Sequence, residues 1–80
     1  MSDKEYQDIW QEFTIAEMSG VEAIEDEFEL VFEDMADDEG RLLGLLRLLE
    51  TKAEELARRF MYVLCELYEA LFRRVQEVCL

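Results

Sequence analysis

Apolar residues recur along the first part of the chain at the three-and-four spacing of amphipathic helices. Tyr6, Ile9, Trp10, Phe13 and Ala16 share one face and predict a helix over about residues 3–18, with Glu5, Asp8 and Glu12 to one side. The next segment is cleaner. Val21, Ile24, Phe28, Val31, Phe32 and Met35 fall within an arc of roughly 100°, which predicts a second helix over about 20–36. Its opposing arc carries Glu22, Glu25, Asp26, Glu29, Glu33 and Asp37, interrupted only by Ala23 and Leu30. The acidic tract Asp34–Glu39 and Gly40 then predict a solvated turn.

From there the apolar positions run on to the end of the chain. Leu42, Leu45 or Leu46, Leu49, Ala53, Leu56, Phe60, Val63 or Leu64, Leu67, Leu71 and Val78 form one seam, which predicts a third helix over 39–78. A second seam, Met61, Cys65, Tyr68, Phe72 and Cys79, widens the apolar face to half the helix circumference in the C-terminal part. Two short helices cannot cover a face that wide, so it is expected to pack on a second copy of the chain or on a partner. Ser2-x-x-Glu5, Ser19-x-x-Glu22 and Thr51-x-x-Glu54 each match the capping-box pattern, and Asp37 and Asp38 offer a fourth helix start. The Thr51 match leaves two readings of the third helix, a break at Glu50-Thr51 or a continuous rod of ~55–60 Å. The continuous or mildly kinked form is favoured, because Thr and Lys do not stop a helix by themselves.

The expected fold is therefore all-α: a single domain over 1–80, with two short amphipathic helices packed on a long C-terminal one. Composition agrees. Proline is absent, glycine occurs three times, and 51% of residues are hydrophobic, too many for a disordered acidic segment. No apolar run reaches the ~18 residues of a membrane span, and the N-terminus is acidic, so a cytoplasmic location without membrane association is expected. Cys65 and Cys79 would lie ~21 Å apart on one continuous helix, which excludes a disulfide between them.

Candidate chemistry is sparse. Histidine is absent, and the two serines both sit at expected caps. Nothing resembles a phosphate-binding loop. No catalytic, cofactor-binding or metal-binding residues are expected, and the chain reads as a non-enzyme. Placing Gly40 at the sixth position of a calcium loop puts Met35 first and Leu46 twelfth, so that pattern fails. The LxxLL matches within Leu42–Leu49 read as core leucines.

Charge changes the picture most. Residues 1–40 carry fifteen Asp and Glu against one Lys; residues 41–80 carry six acids against seven Lys and Arg. Arg58, Arg59, Arg73 and Arg74 are expected to face the first two helices and partly neutralise them. The stripe Glu22, Glu25, Asp26, Glu29, Glu33 and Asp37 has no lysine on its own face, although like charges four apart cost helix stability. Within it Glu22, Asp26, Glu29 and Glu33 are three or four apart, and their ~4.5–6 Å axial spacing is near that of successive phosphates along a nucleic-acid strand.

In size, acidity and helicity, with Glu22–Asp37 as its acidic face, the chain resembles the small phage-encoded inhibitors of host defence, the DNA-mimic anti-restriction and anti-CRISPR proteins. That resemblance implies stoichiometric occlusion of a Lys- and Arg-lined nucleic-acid channel, in the host cytoplasm for a phage-encoded chain. The expected partner is a basic nucleic-acid-binding protein and not nucleic acid itself, with Met61, Cys65, Tyr68, Phe72 and Cys79 joining a homodimer. The alternative is a helical adaptor or assembly chaperone that works through the apolar face of the C-terminal helix.

Overall fold

The computed structural model describes residues 2–79, with side chains from Lys4 to Cys79. Four helices follow one another: α1 (Ser2–Ser19), α2 (Val21–Met35), α3 (Glu39–Arg58) and α4 (Tyr62–Cys79). The all-α class stands, but the three-helix arrangement is overturned. The expected long helix is two, joined at Arg59–Met61 and not at Glu50-Thr51. The longest dimension of the bundle, among the described residues, is 33 Å, far short of a continuous rod.

Tyr6 lies against Gly44 and donates its hydroxyl proton to the Arg41 carbonyl (3.0 Å), while Thr14, two turns on, meets Lys52. The same order on both helices means that α1 and α3 run parallel. Short turns reverse the chain into α2 and α4, giving an up-down-up-down bundle. The α1–α2 and α3–α4 turns therefore share one end, and the α2–α3 turn lies at the other with the start of α1. Gly44 is what lets Tyr6 approach the α3 backbone, since a Cβ there would overlap the tyrosine ring.

The break in the third predicted helix has no glycine or proline to signal it. Phe60 sits at φ 62, in the left-handed region that glycine normally fills. The Met61 amide donates to the Leu56 carbonyl (2.9 Å) and the Phe60 amide to that of Ala57 (3.0 Å), the paired bonds of a Schellman cap. Left-handed backbone at a non-glycine residue costs ~1–2 kcal/mol. Folding back buries Cys65, Tyr68, Leu71 and Val75, each worth up to ~1.5–3 kcal/mol. Burial wins by several-fold, and the turn forms. The broad apolar face of α4 is real, and α3 is what covers most of it.

Two of the expected capping boxes do not form. Ser19 is the last residue of α1, and Gly20 (φ 115) caps α2 with no side-chain bond, because a one-residue connection leaves the serine inside the first helix. Thr51 is in the middle of α3, and its hydroxyl donates to the Arg47 carbonyl (2.8 Å). Asp38 does cap α3, accepting from the Arg41 amide (3.2 Å). The side chain of Ser2 lies outside the described residues.

Among the described residues one charged side chain is buried in the core. Lys52 is 2% exposed, with its ammonium 3.0 Å from Glu17, 2.6 Å from the Thr14 hydroxyl and 4.2 Å from the centre of the Trp10 ring. The Tyr68 hydroxyl donates to the same Glu17 carboxylate (2.8 Å), and the Tyr68 ring meets Phe13 edge-on. Burial and the adjacent carboxylate push the Tyr68 phenol well above its ordinary range. This cluster joins α1, α3 and α4 with every buried polar side-chain atom partnered among the described residues.

Replacing Phe60 by Gly should relieve the turn, raising stability by about 1 kcal/mol and the melting temperature by ~4–8 °C. A variant that melts no higher than wild type contradicts the strain. Lys52→Met leaves the largely enclosed Glu17 carboxylate with the Tyr68 hydroxyl but no counter-charge, at a cost of ~3–5 kcal/mol in urea unfolding, and adding Glu17→Leu with Tyr68→Phe should recover most of it. A single Lys52→Met change costing under ~1 kcal/mol would show that the cluster is not needed.

Candidate functional site

Period 3.6 places the acidic arc of α2 opposite its buried residues Ile24, Phe28 and Met35, and the core therefore fixes which way the arc faces. Glu22, Glu25, Asp26, Glu29 and Glu33 are all exposed on that helix. Asp37 is exposed too, but α2 ends at Met35, so Asp37 belongs to the following turn and not to the helical stripe. The turn and the start of α1 extend the negative surface. Glu5, Asp8 and Asp34 flank a groove of about 480 Å³ between α1 and α2, floored by Ile9, Val31 and Met35.

The ion pairs show where the chain's cations go. Among the described residues they join Lys4 to Asp8, Arg41 to Glu5 and to Asp34, Lys52 to Glu17, and Arg74 to Glu29. Of the six predicted partner-binding acids, Glu29 alone is paired. Arg74 also lies over Phe28 (5.0 Å) and Phe32 (5.9 Å), which stack on each other, so its role is to clamp α4 onto α2. Arg41 holds the ends of α1 and α2 together, and its two carboxylate bonds push its ionisation still further above the ordinary range. The expectation that Arg58, Arg59, Arg73 and Arg74 jointly neutralise the first two helices fails for three of the four. Arg58, Arg59 and Arg73 are exposed and make no ion pair among the described residues.

The residues expected to self-associate are split up by the fold. Tyr68 is fully buried and Cys65 nearly so; Phe72 and Cys79 are half-buried, and only Met61 is exposed. Cys65 and Phe72 line a groove of about 460 Å³ between α3 and α4, with Ala53 and Ala57 on its floor and Glu50, Glu54, Glu69 and Arg73 at its edges. Burial and the neighbouring Glu69 carboxylate push the Cys65 thiol up, away from the reactive thiolate. Both cysteines are free thiols. Among the described residues no three His, Cys, Asp or Glu side chains are placed to hold a metal ion, and no helix is long and apolar enough to cross a membrane.

Sequence reasoning missed two features. Lys52 is buried, and its signal was positional: it stands seven after Leu45 and four before Leu56, squarely on the apolar stripe of α3. The other is the exposed run Phe60–Val63 at the α3–α4 turn, hidden inside what reads as a continuous seam.

No protein-family model matches the chain, and no curated protein or solved structure is found similar to it. Fold and surface together define a small four-helix bundle with one face of largely unneutralised carboxylates.

One acid titrates away from the ordinary range for a structural reason. Partial burial, and then Glu12 across the α1–α2 interface, push the Glu27 carboxyl above its ordinary 4.5. The folded state therefore binds this proton more tightly than the unfolded chain. Stability from this group is fully present below the unfolded value and lost as pH rises through the folded one. Glu27→Gln should accordingly melt higher than wild type at neutral pH, with the difference closing below about pH 4. A constant difference across that range would contradict the assignment.

Proposed function

We propose that this chain is a non-enzymatic binding protein whose acidic face docks on the basic surface of a nucleic-acid-binding protein and blocks it. The observation that carries the reading is the disposition of charge. Five of the six predicted acids are exposed without an ion pair among the described residues, while four arginines, Arg47, Arg58, Arg59 and Arg73, stay exposed and unpaired elsewhere among them. A chain under selection for solubility alone gains by pairing them, since like charges three and four apart on one helix destabilise it. The packed core under Ile24 and Phe28 makes the face rigid, so little ordering entropy is lost on docking. Charge of one sign over one face also speeds encounter with a basic groove and repels phosphate.

The alternative, an adaptor that works through apolar surface, draws support from the exposed Phe60–Val63 run and not from the broad face of α4, most of which is buried.

The test uses proteins eluted from DNA-cellulose, passed over immobilised wild type and over the variant Asp26→Lys/Glu33→Lys/Asp37→Lys. Wild type should retain a protein that is released between ~0.1 and ~0.5 M salt and that no longer binds DNA while held. The variant should retain at least tenfold less. Retention by both chains alike, or binding insensitive to salt, would overturn the reading.

A further inference from the structure

The bundle is polarised along its axis. One end, formed by the start of α1 and the α2–α3 turn, carries Glu5, Asp8, Asp34, Asp37, Asp38 and Glu39 against Lys4 and Arg41. The other end, formed by the α1–α2 and α3–α4 turns, is apolar at its tip. Phe60 is 76% exposed, Val63 73% and Met18 83%, and Met61, Tyr62 and Val21 are exposed beside them. Phe60 and Tyr62 meet edge to face (6.2 Å), so the two rings form one raised ridge. This end also carries both signs of charge. Arg58 and Arg59 close α3, Glu22 and Glu25 open α2, and all four are exposed with no ion pair among the described residues.

We infer that this apolar end is a self-association surface on which two copies of the chain meet end to end about a two-fold axis. An isologous contact needs a patch complementary to itself. A central ridge of Phe60, Tyr62 and Val63 flanked by arginines and glutamates meets that need, because each copy offers the other both partners of an ion pair. Net charge selects the same geometry. Two chains at −13 each repel, and only this end lets them touch while their acidic ends stay about two bundle lengths apart, each of 33 Å. That separation is several times the ~8 Å Debye length at physiological salt.

The cross-section perpendicular to the long axis, 24 × 21 Å between backbone extremes, is comparable with the ~800 Å² per partner of a standard interface once side chains are added. The strained Phe60 fits the same picture. Glycine in its place makes the turn without strain, so a bulky aromatic held there against its backbone preference points to a use for the ring. The inference does not rest on the acidic-face reading. It leaves Asp26, Glu29 and Glu33 on the flank of each copy.

Sedimentation equilibrium from low micromolar to millimolar concentration, at physiological salt, tests it on the full chain. Wild type should form a dimer. Phe60→Gly, which eases the turn, and Val63→Glu should each weaken dimerisation at least tenfold while melting cooperatively. The flank variant Asp26→Lys/Glu33→Lys should dimerise no more weakly than wild type. A wild type that stays monomeric at millimolar concentration overturns the inference, as does association unaltered by both tip changes. So does a chain that is monomeric in solution yet sediments with phosphatidylcholine vesicles, which would make the apolar end a membrane contact.

Discussion

Everything in this small bundle turns on one buried ion pair. Lys52 and Glu17 lie between α1 and α3, with Tyr68 of α4 donating to the same carboxylate and Trp10 and Thr14 closing round the ammonium. Apolar packing has no preferred register, so a core made largely of leucine accepts several slides of one helix past another. A buried charge does not. It has full partners in one arrangement and in the others forfeits several kcal/mol. In an 80-residue chain, where a single core supplies only a few kcal/mol, that penalty decides the arrangement.

The pair also shapes the surface. The chain has eight cations, and its fold draws Lys52 inside, binds Arg41 between the ends of α1 and α2, and lays Arg74 over Phe28 and Phe32. Arg58 and Arg59 close α3 at the apolar end. Arg41 and Arg74 neutralise Asp34 and Glu29, and the other exposed acids of α2 have no ion pair among the described residues. The acidic face is thus a consequence of where packing and capping place the cations, and not only of how many acids the first half contains. The same logic gives the molecule its axial polarity, since the acid-rich turn at Asp34–Glu39 and the apolar turn at Phe60–Val63 stand at opposite ends of the bundle.

The first two helices were legible because their apolar residues keep the 3.6 period over four or more turns, and both ends fall within a residue or two of the expected positions. The acidic stripe was legible for the same reason, apart from Asp37, which lies past the helix end. The third element misled. Phe60 occupies a position whose backbone calls for glycine, and the reward for the turn comes from Cys65, Tyr68, Leu71 and Val75 meeting α3, which no local window contains. Ser19 and Thr51 matched a capping pattern that is only four residues long, and neither begins a helix. The width of the α4 face was correctly read from spacing. Its cover was not, because a helix assumed straight cannot fold back on itself.

The central claim is that most carboxylates of α2, all but Glu29 and Asp34, are left without counter-charges by the fold. Thermal unfolding of the wild-type chain against sodium chloride, at neutral pH and a concentration low enough to hold one oligomeric state, tests this most directly. Screening weakens attraction and repulsion alike, so the sign of the response reports which dominates. Unneutralised acids in a chain of net charge −13 require the melting temperature to rise steadily with salt up to a few tenths molar. A melting temperature that falls or stays level over that range would mean that the surface acids are already paired, and would contradict the account.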